Sequence, residues 1–173
     1  MLFRSYWRTH LNSKLTDRDA IVLADFVNNT GNPVFDQTLR QALVVQLEQS
    51  PFLNVLSQEK VAEQLRMMGR APGERLTEDV VREICQRSQS TALIGGTISN
   101  LGNQFILGLK AVECRSGDSL GTVQVEAEGQ EQVLKMLGQA SAKLRAKLGE
   151  SLASVQKFDA PIEQATTSLR YFR

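Results

Sequence analysis

Histidine is nearly absent from this chain of 173 residues: His10 is the only one. That removes every Ser-His or Cys-His mechanism with a core imidazole, and any multi-histidine metal shell. Cysteine is scarce as well. Cys85 and Cys114 stand far apart without C-x-x-C spacing, so neither a metal cluster nor a dithiol redox centre is indicated. Cys85 shares a helical face with Val81 and Ile84, the placement of a small buried hydrophobe, and a bridge to Cys114 stays open as an alternative.

A charge bias is also missing. Twenty Lys plus Arg against nineteen Asp plus Glu leave a net charge of +1, so no field exists to concentrate nucleic acid, which is not an expected partner. Apolar residues make up 42%, yet no run approaches the roughly 18 consecutive apolar residues of a membrane span. The opening Met1–His10 has too short an apolar stretch and no small-residue cleavage site, so it reads as a tail and not a secretory signal. Tyr6 and Trp7, between Arg4 and Arg8, would also suit the water-facing edge of a span ending just upstream. Neither G-x-G-x-x-G nor G-x-x-x-x-G-K-[ST] occurs, so no cofactor is expected, and no internal repeat is visible.

What is present begins with Asp19–Asp36. Ile21 to Val27 is a short apolar run of the kind a strand covered on both faces carries, and Asn28 to Asn32 is turn chemistry. Pro33 suits the first position of a helix, with Asn32 as its cap. Phe35, Leu39, Ala42, Leu43 and Leu47 then recur at helical spacing until Ser50-Pro51. Phe52 to Leu56 reads as a second strand. Ser57 caps a helix burying Val61, Leu65 and Met68 before Gly69, with Met67-Met68 as core filler, and Thr77 caps a third helix with Val80, Val81, Ile84 and Cys85 inward.

After Ser90 the texture changes to strands. Thr91 to Ser99, Gln104 to Cys114 and Leu120 to Glu128 are joined by turns at Asn100–Asn103 and Ser116–Asp118, and Val123, Val125 and Ala127 alternate with polar residues. Val133, Leu134, Leu137, Leu144, Leu148, Leu152 and Val155 mark one long helix, interrupted only by Gly138 and Gly149 and ending near Phe158. The expected fold is α/β: a mixed five-stranded sheet, three parallel strands followed by an antiparallel meander, with helices on its faces. It would form one domain over residues 18–158, between tails at 1–17 and 159–173.

Among polar residues, Asp25 and Asp36 flank the loop after the first strand, at the carboxyl edge where open α/β sheets place ligands. Asp25, Asn28, Asn29, Thr30 and Asp36 form the candidate ligand rim, although each also fits an ordinary turn or cap role. No catalytic, metal-binding or cofactor-binding residue is proposed. Gly95-Gly96 lies within a strand pattern, where a bulge or a close crossing explains it better than a phosphate loop. Arg66, Arg70 and Arg75 are interleaved with Glu74 and Glu78, as on a solvated surface.

Several stretches taken together carry a resemblance: Ile21-Val-Leu-Ala-Asp-Phe26, Asn29-Thr-Gly31, Pro33-Val-Phe-Asp36, Leu39-Arg-Gln-Ala-Leu43, Gln46-Leu-Glu-Gln-Ser-Pro-Phe-Leu53, Met68-Gly69 and Arg82-Glu-Ile-Cys85. Lys147-Leu-Gly-Glu-Ser-Leu152 and Gln156-Lys-Phe-Asp159 add to it. Over residues 15–168 the chain resembles a domain of bacterial, notably acidobacterial, receptor-like serine/threonine kinases, which is similar to the TolB amino-terminal or CsgG-type, Rossmann-like module. In that family the domain follows a kinase and one membrane span and precedes tetratricopeptide repeats. The resemblance implies an extracytoplasmic, non-catalytic module that binds a protein or an unknown small ligand. It would be the sensor of such a kinase or, alternatively, a stand-alone interaction and assembly domain of the bacterial envelope. No kinase glycine loop, H-R-D or D-F-G is present, so the kinase activity does not carry over. The chain is therefore expected to be a fragment lacking kinase, span and repeats, attached to membrane only through that span, and cytoplasmic if made alone.

Overall fold

Ile21, Val22 and Leu23 point alternately to opposite faces, and all three are buried, which requires a strand covered by helices on both sides. They form β1 (Ala20–Leu23) in a computed structural model that describes Leu15, Thr16 and residues 19–161. The expected tails, with Tyr6, Trp7 and His10, fall almost wholly outside the described residues. The chain continues through β2 (Val27–Asn28), α1 (Val34–Glu48), β3 (Asn54–Val55), α2 (Gln58–Met67) and α3 (Glu78–Arg87). Then come β4 (Ala92–Leu101), β5 (Gln104–Glu113), β6 (Ser119–Glu128), a short 3-10 turn, α4 (Val133–Leu148) and α5 (Leu152–Phe158).

The strands lie in the order β3-β1-β4-β5-β6, with β1 parallel to both neighbours and β4, β5 and β6 forming the antiparallel meander. The mixed sheet and its direction changes match the sequence expectation, with a sixth strand added. That strand arises because the expected run Ile21–Val27 breaks. Leu23 pairs with Ile94 and Val27 with Thr97, so Ala24, Asp25 and Phe26 stand opposite only Gly95 and Gly96. This is a bulge. At it the Asp25 N–H leaves the ladder for the Leu76 carbonyl, and Phe26 turns inward over Gly96, where a Cβ would overlap its ring.

On one face Ile21, Leu23, Ile94, Leu107 and Val125 pack against α1 and α4 in the larger core. On the other, Val22, Leu93 and Val112 meet Val61, Leu65, Val81 and Ile84 of α2 and α3. Cys85 on α3 is bonded to Cys114 just beyond β5, which resolves the alternative left open by spacing and staples the smaller core. Both helix starts named from sequence are capped as expected: Ser57 accepts from the Lys60 N–H and Thr77 from the Val80 N–H. The first helix starts at Val34, one residue after Pro33, and Asn32 Oδ1 accepts the Val34 N–H.

Two expectations need correction. Met67 is 60% exposed, because Val61, Leu65 and Met68 define the inward stripe of α2 and Met67 lies off it. The long C-terminal helix is two helices. Gly149, with φ 116°, ends α4 in a left-handed cap, and Ser151 opens α5 by accepting from the Ser154 N–H. Gly138, by contrast, stays inside α4 beside Gln46 and interrupts nothing.

The break buries a charge pair. Arg145 Nε and Nη2 donate to Glu150 Oε2 and Oε1 at 2.9 and 2.8 Å, with both side chains sealed from solvent. Ser50 donates to Glu150 Oε2 at 2.6 Å and Ser154 to Oε1 at 2.7 Å, so one carboxylate ties together the ends of α1, α4 and α5. Burial acts to raise the Glu150 pKa, but the hydrogen bonds from Arg145, Ser50 and Ser154 and the Arg145 charge outweigh it and lower the pKa to about 2.

These fastenings generate three predictions. Because the folded-state pKa of Glu150 is depressed, its contribution is fully present above the unfolded value of 4.5 and is lost as pH falls toward 2. Glu150→Gln should therefore flatten the acid limb of a stability-against-pH curve. Arg145→Met, which strands a buried carboxylate, should cost about 3–5 kcal/mol by urea unfolding at pH 7. Separately, Cys85→Ser with Cys114→Ser should lower stability by about 3 kcal/mol, since the bridge closes a loop with a sequence separation of 29.

Candidate functional site

From β1 the chain passes through α1 to β3 on one side, and then returns through α2 and α3 to β4 on the other. The carboxyl end of β1 is therefore the topological switch point of the sheet, where helices on opposite faces leave a crevice. Asp25 stands there. Its Oδ2 accepts the Leu76 N–H at 2.8 Å, and its Oδ1 lies 3.3 Å from Arg40 Nε, an ion pair whose direction falls short of a hydrogen bond. Arg40 is mostly buried, with 14% of its side chain exposed. Burial pulls the guanidinium pKa below its ordinary value, and the Asp25 charge opposes that shift.

The loop after β2 is organised around Asn28. Its Oδ1 accepts the backbone N–H and the hydroxyl of Thr30, at 3.0 and 2.6 Å. Its Nδ2 donates to the Asn32 carbonyl at 2.8 Å and to Asp36 Oδ1 at 2.9 Å. Thr30 Oγ1 in turn accepts the Asn32 N–H. The five rim residues named from sequence thus divide into three groups. Asn28, Thr30 and Asp36 share one network, Asp25 belongs with Arg40 and Leu76, and Asn29 holds the loop to β4 by donating its N–H to the Ile98 carbonyl.

Asp25 and Asp36 meet in a crevice of about 580 Å³ between α1 and α2, capped by Pro72–Arg75; Asn28, Asn29 and Thr30 do not line it. Sequence reading missed its other polar groups, Gln37, Arg40, Gln41 and Gln58. A signal existed for three of them: Gln37, Arg40 and Gln41 are spaced i, i+3, i+4 along α1, beside the apolar stripe. The arginines after α2 behave as surface charges, with Arg70 ion-paired to Glu74 at 2.6 Å and Arg75 Nη2 donating to the Phe26 carbonyl at 3.4 Å.

Among the described residues, no group of three or more His, Cys, Asp or Glu side chains is placed to hold a metal ion. The crevice offers amides, carboxylates and two guanidiniums, Arg40 and Arg75, which suit hydrogen-bonded binding.

The sequence matches no protein-family model and no curated protein. The fold does match solved structures. The LpoB C-terminal domain from Salmonella enterica aligns with a TM-score of 0.55 at 14% identity, over 67% of this chain and 86% of that one. Lipoprotein GNA1162 from Neisseria meningitidis aligns with a TM-score of 0.52 at 16% identity, over 73% and 96%. TolB from Acinetobacter baumannii aligns with 0.51 at 13% identity, over 79% of this chain and 30% of TolB. At these identities the likeness is one of fold, and the fold is TolB/LpoB-like, which agrees with the TolB part of the resemblance.

Asp25→Ala should destabilise the domain by about 2–3 kcal/mol in urea, because it strips a partner from both the Leu76 N–H and Arg40. Asp36→Ala, which removes one exposed hydrogen bond to Asn28, should have a distinctly smaller effect in the same measurement.

Proposed function

We propose that this chain is a non-catalytic, extracytoplasmic protein-binding domain of the bacterial envelope. The observation that carries the reading is a buried disulfide within a TolB/LpoB-like fold. Stable disulfides belong to oxidising compartments, which favours the outer side of the cytoplasmic membrane. One matched structure is named a lipoprotein, and no helix among the described residues is long and apolar enough to cross a membrane. An attachment outside this domain would supply any anchoring. The Asp25–Asp36 crevice is the proposed recess for a polar group of the partner or for a small ligand, and Asn28 adjoins it only through its hydrogen bond to Asp36.

A second reading is favoured by the motifs spread over residues 15–168. In it the same domain senses an extracytoplasmic ligand for a serine/threonine kinase across one span. A kinase domain and a single span encoded upstream in the same frame would select this reading over the stand-alone one.

The shared core of both readings is testable in the native host. A photo-crosslinking amino acid at Gln41, in the crevice, and at Thr97, on the open sheet face, should each be tried. A discrete adduct with one identified protein, together with oxidised Cys85 and Cys114 in cell extracts, is the expected result. Reduced cysteines in cells and no adduct from either position would refute an extracytoplasmic protein-binding role.

A further inference from the structure

Beyond the row Leu93–Val112, which α3 covers, the side of the meander facing away from α1 and α4 has no helix over it among the described residues. The next rows across the strands are Gly95–Lys110–Thr122 and Thr97–Gly108–Gln124. They floor a groove of about 670 Å³, walled on one side by Arg75 and the first turn of α3. We propose that this groove docks an extended acidic segment of a protein partner, with an aliphatic side chain over Gly95 and an adjacent carboxylate against Arg75 and Lys110. The proposal rests on the protein-binding reading and names where and what that partner contacts.

Four charged residues line the groove, and they are not equivalent. Asp25 is engaged by Arg40 and the Leu76 N–H, and Glu78 is paired with Arg82 at 3.4 Å. Arg75 and Lys110 have no carboxylate within ion-pair distance among the described residues. The groove therefore presents two uncompensated cations, which select an anionic partner and penalise a basic one. Between them the surface is apolar: Ala24 and Gly95 form the floor and Val27, 51% exposed, the lip. Thr97, Thr122 and Gln124 add hydrogen-bonding groups for a peptide backbone.

The floor itself is informative. Gly96 lacks a side chain because Phe26 occupies its space, and a Cβ on Gly108 would meet Thr97 Oγ1 at 2.7 Å. Gly95 has no such internal reason, for a Cβ there would meet nothing within 4 Å. Glycine within a ten-residue strand weakens it, and one recognised cause is close approach by an outside group. The empty space above Gly95 also supplies a clean test, since a larger residue fills the groove without displacing the protein.

A random hexapeptide library displayed on phage, selected against the oxidised chain, provides the probe. Enriched peptides should carry an aliphatic residue next to Asp or Glu. Their affinity, read by fluorescence anisotropy, should fall by about tenfold or more for Gly95→Leu and for Lys110→Glu, and equally when the peptide acid becomes its amide. Both variants should keep the parent Tm; if Gly95→Leu does not fold, Lys110→Glu and the amide peptide decide. No enrichment, basic peptides, or peptides indifferent to both substitutions would overturn the proposal. A cross-linked cellular partner that binds both variants as tightly as the parent would also overturn it, while leaving the protein-binding reading intact.

Discussion

One extra residue on the line of β1 and β2 organises this molecule. Three residues, Ala24 to Phe26, stand opposite two on β4, and each of the last two is sent somewhere different by that mismatch. Phe26 goes into the larger core, onto the bare backbone of Gly96. Asp25 goes outward, where it joins Arg40 on α1 to the backbone of Leu76 before α3. A regular strand would alternate its side chains between the two faces and place Phe26 with Val22 and Ala24, away from the larger core. The crevice and the groove both border Asp25 because the bulge sits at the switch point.

The sheet is held on its two faces by fastenings of different kinds. On one, a disulfide between α3 and the end of β5 closes the smaller core under α2 and α3. On the other, Glu150 gathers Arg145, Ser50 and Ser154. The second is the costlier arrangement, since both charges lose water and Arg145 Nη1 has no hydrogen-bond partner among the described residues. Its effect is geometric: the last turn of α4 and the first of α5 are oriented by one carboxylate under the link from α1 to β3. Over the middle of the meander, one face carries no helix among the described residues and is open.

That open face separates two meanings of polar alternation. Thr122, Gln124 and Glu126 read as the wet side of a strand, and so they are. Yet next to Lys110, Gly95 and Arg75 the first two border a groove whose charges do not cancel. Strand pattern alone cannot separate a merely hydrated row from a binding row. The distinction lies in which neighbours are already paired, a property of side chains that are remote in sequence.

Helix starts at Ser57 and Thr77, the alternation of β6 and the apolar stripe of α1 were legible because they depend on residues within a few positions of one another. The switch-point location of Asp25 and Asp36 was legible too, since it follows from strand order and the loop after the first strand. The bulge was not, because it depends on register against β4 some seventy positions away. Nor was the pairing of Arg145 with Glu150, because a charge pair five residues apart across Gly149 looks like surface until the packing of α1 buries it. The alternation and capping of local segments thus determined the fold class by themselves. Tertiary structure decided which charges are neutralised, whether the two cysteines meet and where the sheet stays bare, because desolvation and pairing depend on neighbours that only the folded chain supplies.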